Sequence, residues 1–117
     1  MSYDSQINQC SNDIYAYRNL RNKLGIISSN LSVASNNSSD IDGRLSIYYQ
    51  VNDGESKISD RARNLSRNID ATNSKITGKV IPAIDAKINS LKGQIRDLER
   101  AKEREEEEER RRREEED

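Results

Sequence analysis

The chain has 117 residues, of which 35% are charged and 32% hydrophobic, and its net charge is −1. Leu, Ile and Val together number 23, with no Phe or Trp, so the chain lacks the material for a globular core, while the balanced charge does not force disorder. With no His and a single Cys10, one chain cannot assemble the usual zinc, haem or iron–sulfur ligand sets or a Ser–His or Cys–His nucleophilic pair, so neither catalysis nor a cofactor is expected.

The first half carries a helical stripe. Tyr3, Ile7, Cys10, Ile14 and Tyr17 recur at steps of four and three, the spacing of a packed helix face. A strict continuation would place Arg21 and Ser28 in the core. One extra step of three, a stammer, keeps the stripe apolar through Leu20, Leu24, Ile27, Leu31 and Ala34, and with Ser38 it continues through Ile41, Leu45 and Tyr48. The first helix is therefore expected over about 4–50. Ser and Asn crowd residues 28–43, and both favour caps and turns over helix interiors, so a break at 36–43 stands as the alternative.

Asn52, Asp53 and Gly54 form the strongest turn signal, because all three tolerate left-handed backbone. The second helix is expected over about 56–98. Its stripe runs through Ile58, Ala62, Leu65, Ile69, Thr72 and Ile76, then by fours through Val80, Ile84 and Ile88, and returns to the heptad at Leu91, Ile95 and Leu98. Consecutive fours are a stutter that locally unwinds a supercoil, and Pro82 falls inside it, where a missing N–H and a ring clash predict a kink. With a turn near residue 53, Pro82 would meet the small residue Gly25 beside Leu24 across the seam. Ile26, Ile47, Tyr49 and Ile81 are left off the stripe.

Residues 99–117 hold eleven acids and seven bases and only one apolar residue, Ala101. Glu106 to Glu109 each precede an Arg by four residues, the favourable orientation, so a solvated helix is expected, fraying towards Asp117. The resulting fold is all-α: an elongated, coiled-coil-like antiparallel two-helix hairpin over 1–98 with a charged tail, completing a helix bundle with partner helices.

Nucleic acid is disfavoured because acids cancel the bases and no basic stripe or aromatic platform appears. Membrane insertion is disfavoured because the longest apolar run, Val80 to Ile84, is too short to span a bilayer. The start, Ser2-Tyr3-Asp4-Ser5-Gln6-Ile7, has neither the basic nor the apolar region of an ordinary signal peptide.

That polar start, the Cys10/Ile14/Tyr17 stripe, a mid-chain turn with Gly54 and a long polar second helix resemble the WXG-type helical hairpins of bacterial type VII secretion. More closely, the chain looks like the YwqH-like group of LXG-toxin-associated small helical proteins. It departs from the wider superfamily in carrying Asn52-Asp53-Gly54 where Trp-x-Gly is usual, and Tyr49-x-x-x-Asp53 fits the export signal's letters at the turn rather than after the second helix. The resemblance implies a non-enzymatic adaptor or targeting chaperone, cytoplasmic or co-exported. It would bind the helical N-terminal LXG domain of a toxin beside a second small helical protein. The stripe residues Ile7, Cys10, Ile14, Tyr17, Leu20, Leu24, Ile27 and Leu31 on the first helix are the candidate contacts. On the second they are Leu65, Ile69, Ile76, Val80, Ile84, Ile88, Leu91 and Ile95. A self-associating structural coiled coil, forming homo-oligomers, is the alternative.

Overall fold

The computed structural model describes residues 2–48 and 56–116, without the side chains of 45–48 and 56–59. Among the described residues the protein is all-α: α1 (Tyr3–Tyr48), α2 (Ser56–Lys75), a π turn (Ile76–Val80) and α3 (Ile81–Glu116). The expected turn at Asn52, Asp53 and Gly54 lies outside the described residues, as do the side chains of Leu45, Ile47, Tyr48, Tyr49 and Ile58. The chain divides into two units, one of residues 1–20 and 83–117 and the other of 21–82. Each is an antiparallel helix pair.

α1 starts on a capped turn. The Ser5 N–H donates to Ser2 Oγ (3.2 Å), which satisfies one of the amides that a helix start leaves unpaired. α1 then runs unbroken through 36–43, so the Ser- and Asn-rich stretch does not interrupt it. The helix tolerates these residues because their hydroxyls find acceptors on the helix itself or on its neighbour. Ser29 and Ser32 donate to the carbonyls of Gly25 and Ser28, four residues back.

The first unit packs α1 against α3 along an apolar seam. Cys10, Ile14, Ile84, Ile88 and Leu91 are buried, and Ile7, Tyr17, Ile95 and Leu98 are half-buried beside them. Antiparallel order is set by Cys10, whose Sγ lies 3.7 Å from Gln94 Oε1, and by Asp4, 2.7 Å from Lys102 Nζ. Burying a side chain of this size contributes about 1.5–3 kcal/mol, so this seam carries most of what holds its unit together.

The second unit corrects the expected stripe. The stammer is not used. Leu24, Ser28, Leu31, Ser35, Ser38 and Asp42 continue the strict heptad from Tyr17, with Arg21 at the intervening exposed step. Ser35 and Ser38 are 6% and 5% exposed, whereas Leu20, Ile27 and Ile41, the expected core, are 45%, 45% and 52% exposed. On α2 the seam runs through Ala62, Ser66, Ile69, Asn73 and Ile76 in place of Leu65 and Thr72, and Leu65 is 55% exposed. An uninterrupted heptad lets α1 keep one winding throughout, whereas a stammer needs local overwinding. The polar residues that the heptad brings inward pair with one another, which removes most of the penalty for burying them.

The expected stutter at Val80 takes a different form. The Ile81 N–H donates to the Ile76 carbonyl, five residues back, so a π turn inserts one residue. Ile81 enters the half-buried seam and Val80 turns out to 42% exposure, reversing their expected places. Pro82 follows directly. It has no N–H to offer the Gly78 carbonyl, and the widened turn gives its ring room where a regular helix would clash. Gly25 is not a point of close approach: a Cβ built there would meet nothing within 4 Å, so the expected meeting of the small residue with Pro82 is not formed.

Candidate interaction surface

The polar seam of the second unit follows from three side-chain clusters. Ser35 Oγ and Ser66 Oγ lie 2.9 Å apart, with Ser39 Oγ 3.2 Å from Ser66. Ser38 Oγ donates to the Ala62 carbonyl (2.8 Å). The Asn73 amide bridges α1: its Oδ1 accepts from Ser28 Oγ (2.5 Å) and its Nδ2 donates to Ser32 Oγ (3.1 Å). Arg63 joins Asp42 (3.4 Å) to Asp60 (3.5 Å) at the end of the row.

Heptad letters show what this arrangement does. Counting Cys10 as a d position, Ser28, Ser35 and Asp42 fall at a, and Ser32 and Ser39 at e. Likewise Ser66 and Asn73 fall at a on α2, and Arg63 at e. Apart from Ser38, buried at d, the polar groups therefore occupy the a and e side of both helices. In an antiparallel pair the two e rows share one flank and the two g rows share the other. The second flank is largely apolar: Ile27, Ala34 and Ile41 at g on α1 and Leu65 at g on α2, with Thr72 the polar member of that row, beside half-buried Leu24, Leu31, Ile69 and Ile76 and buried Ser38 at d. Ile26 and Val33, exposed at 62% and 58%, point from the back of α1 at f positions.

The sequence-predicted contacts therefore separate into two sets. Ile7, Cys10, Ile14, Tyr17, Ile84, Ile88, Leu91 and Ile95 are spent on the first unit's own seam. In the second unit Leu24, Leu31, Ile69 and Ile76 are half-buried, while Ile27, Leu65 and Val80 face solvent, as Leu20 does in the first. Sequence reasoning missed Ser28, Ser35, Ser66, Asn73 and Ile81 as seam residues, whereas Ser38, already on the expected stripe, is buried. The signal was present in the unbroken four-and-three spacing from Tyr3 to Asp42, set aside because it buried polar side chains.

The first unit carries an open groove of about 640 Å³ with Cys10, Leu91 and Leu98 in its floor and Gln6, Asp13 and Gln94 on its walls. At the start of α1 the Asp4 carboxylate accepts a hydrogen bond from Lys102, and this bond together with the carboxylate's charge raises the Lys102 pKa above the ordinary lysine value. The tail helix is solvated, with Arg111 and Arg113 paired to Glu107 and Glu109 four residues back.

Among the described residues no group of His, Cys, Asp and Glu is placed to hold a metal ion, and no helix is long and apolar enough to cross a membrane. No family model matches the chain, and no curated protein or solved structure is significantly similar to it.

Proposed function

We propose that the protein is a non-enzymatic adaptor, a targeting chaperone that binds the helical N-terminal LXG domain of a toxin, with a second small helical protein, for type VII secretion. One observation carries the reading. In the second unit the polar side chains are consumed in the seam, and an apolar flank built from two helices is left open beside it. A hydrogen bond contributes about 0.5–1.5 kcal/mol net, against about 1.5–3 for burying an Ile or Leu, so a polar seam beside an exposed Ile row suits a helix pair that completes its core on other helices. The family resemblance supplies the identity of those helices and the cytoplasmic or co-exported location.

The test is co-purification of the tagged chain from its native host. Recovery of a large protein with a helical N-terminal domain, in fixed ratio with a second small helical protein, supports the adaptor. Recovery of the chain only as a stable homo-oligomer overturns it in favour of a self-associating structural coiled coil.

A further inference from the structure

The apolar flank of the second unit has a rim of one sign. The c positions that border its g row are Lys23, Asn30, Asn37 and Arg44 on α1 and Arg61, Asn68 and Lys75 on α2, all exposed. None is acidic, and neither is any described g position of this unit. The described acids of this unit lie elsewhere, Asp40 at f, Asp42 at a, Asp60 at b and Asp70 at e. Lys23, Arg44, Arg61 and Lys75 make no ion pair among the described residues, whereas Arg63 on the polar flank has two. Four cations without an ion pair among the described residues therefore border a largely apolar flank shared by two helices, although the whole chain is nearly neutral.

We infer that this flank is the docking site for an amphipathic helix whose apolar stripe is bordered by Asp and Glu. This deepens the adaptor reading and rests on it for the class of partner. The flank suits a helix, since an amphipathic helix laid along it buries its stripe against the exposed Ile27, Ile41 and Leu65 and brings both of its borders over the rim. Charge complementarity then sets register and rejects helices with basic borders, because like charges placed together oppose association. A lipid surface fits less well: the flank has no Trp or Phe, and its four cations are interspersed with three Asn rather than forming a dense basic face.

The probes are two synthetic helical peptides of about three heptads with the same Leu stripe, one bordered by Glu and the other by Lys. Binding to the full chain is read by fluorescence anisotropy at about 50 mM and 500 mM salt. The acidic peptide should bind at least about tenfold more tightly than its twin, and the difference should shrink at high salt. Ile27→Glu with Leu65→Glu should weaken that binding at least about tenfold while helicity by circular dichroism is retained, because both side chains are already exposed. Ile26→Glu, on the back of α1, should change nothing. The triple substitution Lys23→Glu, Arg61→Glu, Lys75→Glu should reverse the preference between the twins.

Equal binding of the two peptides, binding that survives Ile27→Glu with Leu65→Glu, or no binding of either up to about 1 mM overturns the inference. Binding of the chain to anionic phosphatidylserine vesicles, lost with the same pair of substitutions while the peptides fail, assigns the flank to a membrane instead. Co-purification separates the two levels of the argument. A toxin still recovered by the Ile27→Glu, Leu65→Glu chain leaves the adaptor standing and removes this site. Peptide selectivity without any toxin does the reverse.

Discussion

Ser66→Ala tests whether the polar seam is real. Its hydroxyl lies 2.9 Å from Ser35 Oγ and 3.2 Å from Ser39 Oγ, and Ser35 and Ser66 are 6% and 8% exposed. Removing it forfeits its bonds to both hydroxyls, of which the buried one to Ser35 is worth about 0.5–1.5 kcal/mol net, and strands the Ser35 hydroxyl away from water, whereas the exposed Ser39 turns to solvent. The expected destabilisation is about 1–2 kcal/mol. The double variant Ser35→Ala, Ser66→Ala removes both partners together and leaves two small apolar groups in contact, an exchange that is close to neutral. The double variant should therefore be more stable than Ser66→Ala alone, a coupling of about 0.5–1.5 kcal/mol. The assay is urea denaturation followed by circular dichroism, repeated at several chain concentrations so that association is not mistaken for folding. If the two single losses simply add, or if Ile27→Ala is the more damaging change, the strict heptad is wrong and the stammered stripe is restored.

The seam of the first unit and the flank of the second should respond differently to truncation. Leu91→Ala, at 4% exposure, should cost about 2–4 kcal/mol in the same assay, and Leu65→Ala, at 55% exposure, less than about 0.5 kcal/mol in the absence of a partner. Deleting Thr77 removes the extra residue of the π turn and returns the spacing from Ile76 to Ile81 to a step of four. The Pro82 ring then meets a regular turn, so the melt should fall by the equivalent of about 3 kcal/mol, whereas deleting Ser90, between the buried Ile88 and Leu91, should unfold the first unit's seam; both are read from far-ultraviolet circular dichroism and thermal melts. Lys102 should titrate above 10.5, and Asp4→Asn should return it towards that ordinary value, as followed by side-chain nuclear magnetic resonance. The folded chain holds that proton more tightly than the unfolded one, so the pair's stabilisation is complete below the ordinary lysine value and is lost as pH rises through the raised one. Because both groups are on the surface, the effect on melting should be small and should fade in salt.

The helical class, the two long arms and the solvated tail were legible from spacing and charge alone, because an apolar face recurring at steps of three and four has no other regular structure to serve. The paired carboxylates and guanidiniums of 106–113 likewise announced a helix that needs no core. Rotation of the helices about their own axes was not legible. Residues 20–41 of α1 offer two rival stripes, one through Ile27 and Ile41 and one through Ser28 and Ser35, separated by a single position on the wheel. Hydrophobicity favours the first. Only the partner helix tips the balance to the second, because Ser66, Asn73 and the Ala62 carbonyl stand where the hydroxyls can reach them, and a single sequence does not list those distances. The same holds at Ile81, which spacing placed outside the stripe and a five-residue hydrogen bond before Pro82 carries into it. What the amino-acid order determined by itself was which residues are apolar and at what period. Which of them are buried at home and which are left for a partner was decided by the packing of one helix on another, since that packing alone can satisfy a buried hydroxyl.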